Sequence, residues 1–120
     1  MIAHVVLLSV RPDLSRADLE RAAETLVRAA REIPGIRRFR VGRRITHGVR
    51  GYEQQMVTNF DYALLLEFDD RSALTDYLRA PAHEALGHLF STATSSALAY
   101  DYEIVEPVDA LMLLGGEPSA

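Results

Sequence analysis

The sequence predicts an α+β sandwich of order β-α-β-β-α-β, a four-stranded sheet carrying its helices on one face. Three observations predict it. Four short runs rich in apolar and β-branched residues have the length of strands. Two stretches with helical spacing separate the first run from the second and the third from the fourth. At 120 residues, 48% hydrophobic and 25% charged, the chain has a globular composition and the length of one domain.

Ile2 to Val10 is too short for a helix and is stopped by Pro12, so it reads as a strand buried on both faces. Ser15 then caps the first helix, Asp18 completes a capping box, and Leu14 staples against Leu19. Leu19, Ala22, Ala23, Leu26, Ala30 and Ile33 form the expected apolar side, with Glu24 and Arg28 paired on the wet side. Pro34-Gly35 ends it. Ile36 to Ile45 alternates as a second strand, with Phe39, Val41 and Ile45 opposite Arg38, Arg40 and Arg44. Residues 46–60 are long for a loop in so small a domain. Asp61 to Phe68 is the third strand. Asp69-Asp70 caps a short helix from Arg71 to Arg79, Pro81 breaks it, and Ala82 to Ser91 is helical again. Ala99 to Val105 is the fourth strand. The domain is expected over 1–106, followed by a tail, 107–120, whose apolar first half docks and whose end is loose.

This order is the split βαβ pattern of a ferredoxin-like sandwich. The first strand and Leu64-Leu65-Leu66 are too apolar to leave the far face of the sheet in water. A second copy packing sheet on sheet is the simplest cover, so a symmetric homodimer is expected.

Composition narrows the chemistry. Cysteine is absent, which removes disulfides, thiolate nucleophiles and Cys-ligated metal sites. All 13 basic residues are arginine, which removes a Schiff-base or P-loop lysine. No apolar run reaches the ~20 residues that cross a bilayer, and the N-terminus lacks a signal-peptide pattern, so a cytoplasmic protein without a membrane partner is expected. Six arginines fall within residues 37–50, a density that raises the question of nucleic acid. The net charge of -4 and the lack of a stacking motif argue instead for pairing with Glu67 and Asp69 on the neighbouring strand. Gly-rich phosphate loops, dinucleotide fingerprints and Ser/His/Asp elbows are missing, and no cofactor is expected.

Histidine and tyrosine remain. His4 shares the parity of Val6 and Leu8 inside an apolar strand, so it is either a satisfied core residue or one wall of a polar spot in a pocket. His83 opens a helical stretch, where backbone dipoles hold an imidazole neutral, as a general base requires. Tyr77 precedes it across the Pro81 break; the residues alone favour an amphipathic tyrosine at a helix edge, and it comes near the imidazole if the two short helices fold back on each other. His88 lies about 140° round the helix from His83 and His47 sits in the long loop, so no metal site is expected. Tyr100 and Tyr102 read as one buried wall with two polar tips.

His4-Val-Val-Leu-Leu8, Ile33-Pro-Gly-Ile-Arg-Arg-Phe-Arg-Val-Gly42, Asp61-Tyr-Ala-Leu-Leu-Leu-Glu-Phe-Asp-Asp70, Tyr77 through Pro81-Ala-His83, and Tyr100-Asp-Tyr-Glu103 together resemble the stress-responsive A/B barrel (Dabb) family. The resemblance covers residues 1–106; the loop after Ile45 is longer than usual there, and the tail has no counterpart. It implies a ferredoxin-like subunit that pairs through its sheet into a dimeric α/β barrel, with a pocket for a small apolar or aromatic ligand between sheet and helices. Most members have no established activity and are described as stress-associated. Plant polyketide cyclases of the family perform cofactor-free intramolecular aldol chemistry, and their catalytic histidine and tyrosine fall on His83 and Tyr77, their strand 1 histidine on His4. On that alternative, neutral His83 removes a proton from a carbon flanked by carbonyls, Tyr77 hydrogen-bonds the enolate oxygen, and His4 orients His83 or the substrate.

Overall fold

Ser15 starts the first helix through the expected reciprocal capping box: its hydroxyl accepts from the Asp18 N–H at 3.1 Å and the Asp18 carboxylate accepts from the Ser15 N–H at 3.0 Å. In the computed structural model, which describes residues 1–115, that helix, α1, runs over Arg16–Glu32 between the strands β1 (Ile2–Val10) and β2 (Ile36–Arg43). β3 (Tyr62–Phe68), α2 (Arg71–Arg79), α3 (Pro81–Ala93) and β4 (Thr94–Glu103) follow, then a short helix α4 (Ala110–Leu114). The four strands form one antiparallel ferredoxin-like sheet of order β2-β3-β1-β4.

β1 is central, and its pairing register sets the two faces. Ile2, His4, Val6 and Leu8 point toward the helices beside Leu64, Leu66 and Phe68 of β3, and with Tyr77 and Leu86 they form the buried core. Ala3, Val5 and Leu7 point the other way, in line with Leu65 and Ala63 of β3 and with Tyr102, Tyr100 and Leu98 of β4. That second face is open within the subunit: Leu65 is partly exposed, and Tyr100 and Tyr102 are more than half exposed. Within the subunit the two tyrosines are therefore not the buried wall expected, because β4 is an edge strand and nothing of the same chain covers this face of it. The expected burial of β1 on both faces holds fully only on the helix side.

Several local expectations shift for physical reasons. Ala22, Leu26, Ala29 and Ile33 fall in one narrow stripe at 100° per residue, and Ala29 and Ile33 are the fully buried pair. Ala30, expected inside, sits on the flank of that stripe and is exposed. Arg28 reaches Glu32 at 3.4 Å, not Glu24; both carboxylates lie one turn away, and exposed pairs differ little in energy. β2 stops at Arg43, leaving Ile45 exposed. β4 starts at Thr94, directly off α3, five residues before the expected Ala99. On β2 the arginine pairing is as expected: Arg37 meets Asp69 at 2.9 Å and Arg38 meets Glu67 at 4.0 Å.

Residues 46–60 are organised by a single carboxylate. Glu53, in a 3-10 turn, accepts from the backbone N–H groups of His47 and, at 3.2 Å, Gly48. These bonds, the His47 amide foremost, hold its carboxyl below the usual glutamate range. The His47 ring packs edge-on to Tyr52. After β4 the Ile104 N–H bonds the Met1 carbonyl at 3.0 Å, and the chain then leaves the sandwich. The apolar first half of the tail does not dock on its own subunit: Val108, Leu111 and Leu114 are each more than four-fifths exposed. The loose end expected beyond it lies outside the described residues. Among the described residues, no helix is long and apolar enough to cross a membrane.

Candidate functional site

β1 turns His4 to the helix side, where it is 6% exposed and sits across from Asp101 of β4. The two meet at 2.5 Å between Nδ1 and a carboxylate oxygen. A proton on Nδ1 donates to Asp101, and in the neutral ring Nε2 is then the acceptor. A buried histidine needs such a partner, and here it has one.

Tyr77 lies in the last turn of α2 and His83 in the first turn of α3. Ala80 ends one helix and begins the other: its N–H bonds the Tyr77 carbonyl at 3.1 Å, and its carbonyl accepts from the His83 N–H at 2.9 Å. Pro81 cannot continue α2 and is well suited to the first position of α3. The corner brings the two rings edge to face, with centroids 4.8 Å apart. Tyr77, 1% exposed, also stands edge-on to His4 at 5.4 Å and against Phe68 at 5.2 Å. The structure thus gathers His4, Tyr77 and His83 into one cluster with the phenol in the middle. His4 touches Tyr77 and is held by Asp101, a different arrangement from a His4 aimed at His83. His47 stays in the 46–60 loop, and His88 lies exposed on α3. Among the described residues no group of three His, Asp or Glu side chains is placed to hold a metal ion.

The cluster is neutral where it matters. Burial, and after it the neighbouring His4, pushes the His83 pKa down. The sequence points to the helix dipole for this effect, and the structure adds burial as a cause. Burial and the Asp101 charge push the Tyr77 phenol up to about 12. At pH 7 this leaves an uncharged imidazole, partly open to solvent, beside an uncharged phenol. The His83 shift has a consequence for stability. The unfolded chain binds the His83 proton more readily than the folded one, so this contribution is complete above pH 6.5 and is lost as pH falls through the lowered folded value. Urea titrations between pH 7.5 and 5 should show stability falling toward acid, and His83→Gln should reduce that slope.

Asp101 escaped the sequence reading. Its signal was present: it stands between Tyr100 and Tyr102, so it has the opposite parity, and β4 pairs with β1 in this topology. A carboxylate on the apolar side of an edge strand, opposite a histidine, marks a polar pair.

Two recesses matter for the site, and neither encloses the cluster. An apolar cavity of about 230 Å3 lies between the sheet, α1 and α3, walled by Leu8, Leu26, Tyr62, Leu64, Phe90 and Ala93. It touches none of His4, Tyr77 and His83. A second recess of about 300 Å3, between α2 and the end of β4, reaches Asp101 past Arg71, Leu74 and Thr75.

Residues 2–104 match the family model of the stress responsive A/B barrel domain, Dabb. The chain belongs to the Dabb family. No curated protein matches this Dabb chain. Among solved structures it resembles the Arabidopsis thaliana protein At3g17210, at 19% identity with a TM-score of 0.72, over 88% of this chain and 97% of that one. It also resembles a hydroxynitrile lyase from Passiflora edulis, at 15% identity and a TM-score of 0.73, over 88% and 94%. A dimeric ferredoxin-like protein of unknown function from Jannaschia shares 26% identity at a TM-score of 0.65, over 86% and 98%. At the identities of the first two, the likeness is one of fold.

Proposed function

We propose that this Dabb protein is a homodimer that binds a small apolar or aromatic ligand between its sheet and helices. The observation that carries the reading is the cavity of about 230 Å3 under α1 and α3, walled almost entirely by apolar side chains. An engineered apolar cavity of roughly 150 Å3 takes up benzene, so the space suits a single aromatic ring or a short alkyl chain. Pairing through the open sheet face is supported by its apolar rows of Val5, Leu7, Leu65 and Leu98 and by the dimeric state of the Jannaschia relative. The proposed setting is cytoplasmic and stress-associated, and the proposed functional unit is residues 1–106. Toluene is a suitable probe. Calorimetric titration should show saturable binding at one site per chain, and Ala22→Leu, which grows into the cavity from α1, should weaken it about tenfold or more. Equal binding by the variant removes the cavity as the site, and no binding by the natural chain removes the reading.

A second reading rests on the cluster itself: cofactor-free proton transfer on a small carbonyl compound, of the polyketide cyclase or aldol type. A neutral His83 is the base, Tyr77 hydrogen-bonds the oxygen on which charge develops, and His4, held by Asp101, positions the phenol from its other side. The recess between α2 and β4 opens on Asp101, the carboxylate that holds His4.

A further inference from the structure

The subunit is less closed on itself than its length requires. Its radius of gyration is 16.2 Å, where a compact chain of this size has about 14 Å. One source of the excess is the arm that follows β4. Residues 104–114 leave the sandwich beside Met1, and α4 packs mainly on the Pro107–Asp109 turn before it. Five residues of helix are not stable alone in water, yet Leu111 and Met112 of this one and Val108 of the turn before it are 71–87% exposed. The family match ends at residue 104, so the arm is an addition to the shared fold.

We propose that this arm is an interaction surface for a second copy of the chain, lying along the β2 edge of that copy. The inference rests on the homodimer reading and adds to it which segment completes the interface. Three features choose this occupant. The arm continues from β4, an edge strand of the sheet whose open face is to be covered, so the two exposed apolar surfaces meet at one rim. A two-fold axis parallel to the strands sets the β4 edge of each copy opposite the β2 edge of the other, and buries both arms equally. The charges match: the arm carries Glu106 and Asp109 and no basic residue, whereas β2 directs Arg38 and Arg40 to the open face. Arg38 has only a 4.0 Å contact to Glu67, which leaves it free to turn to a second carboxylate.

The test is sedimentation equilibrium on the full chain and on full-length variants, with circular dichroism as the folding check. The full chain should be a dimer. Leu111→Ser with Met112→Ser should raise the dimer dissociation constant about 100-fold with an unchanged spectrum. Arg40→Glu should raise it about tenfold, and Asp109→Arg added to it should recover most of the loss. An unchanged dissociation constant in the Ser variant overturns the arm and leaves the homodimer standing; a monomeric full chain overturns both. Because the chain lacks cysteine, a benzophenone attached at Met112→Cys gives an independent reading in a mixture of 14N- and 15N-labelled protein. Mixed-isotope cross-links support the arm's reaching a second copy. Exclusively single-isotope cross-links mean that it folds onto its own subunit, and overturn the proposal.

Discussion

Replacing Tyr77 by alanine is expected to destabilise the fold by about 3 to 5 kcal/mol, the range for deleting a large ring from a packed core. The ring is 1% exposed, and it is the common neighbour of His4, Phe68 and His83. Its loss opens a cavity bordered by two histidines, which adds polar groups to an unfilled space. Chemical denaturation followed by circular dichroism measures the effect, and a loss below about 1 kcal/mol would show that the ring is not part of the core. Tyr77→Phe separates the ring from its hydroxyl. It keeps the packing and should leave neutral-pH stability within about 1 kcal/mol. At alkaline pH the two differ in a set direction. The unfolded phenol loses its proton near pH 10.0, and the folded one holds it to about 12. The unfolded state therefore binds fewer protons in that window, stability falls as pH rises through it, and Tyr77→Phe should lose that part of the slope.

The second large effect concerns chemistry. If the cluster moves protons, the natural chain should speed deuterium exchange at the methyl carbon of acetophenone, a small ketone with one exchangeable site. His83→Ala should then lower the protein-dependent rate about 10² to 10⁴-fold, the usual worth of a positioned base. Because the His83 pKa is lowered, the neutral base persists below pH 6.5, and the rate should hold its plateau into mildly acid solution before falling. Tyr77→Phe should cost about 10 to 100-fold through the lost hydrogen bond to the enolate oxygen. Exchange by His83→Ala at the natural rate ends the general-base role. Absence of protein-dependent exchange in the natural chain ends the catalytic reading and leaves the ligand-binding one intact.

How far these features could be read from the sequence depended on whether their cause was local. The α1 capping box needs only Ser15 and Asp18, three residues apart, and the Tyr77 to His83 approach needs only a helix broken at Pro81. Both were legible. The choice of Ala29 over Ala30 as the buried position depends on where the helix axis lies over the sheet, which no periodicity of small residues resolves. The early start of β4 at Thr94 is a pairing effect, since Ser96 and Ala97 lack strand-forming side chains and become strand by bonding to Ser9 and Leu8. Asp101 belongs to the same class, a residue whose role appears only when the register with His4 is known. The tail misled because its apolar character was real but its own subunit offers it nothing to cover.

The corner at Ala80 makes the backbone a ruler. A single residue closes one helix and opens the next, so the separation of the two Cα atoms at 77 and 83 is set by main-chain hydrogen bonds. Residues 77 and 83 can then be exchanged for others without altering the separation of their Cα atoms, and a scaffold of this kind can trade one chemistry for another at fixed geometry. A change in length is another matter: one extra residue after Pro81 would swing position 83 by about 100° round α3 and carry it out of reach of position 77. A ring that still fills the core at position 77 preserves this geometry, and an insertion destroys it.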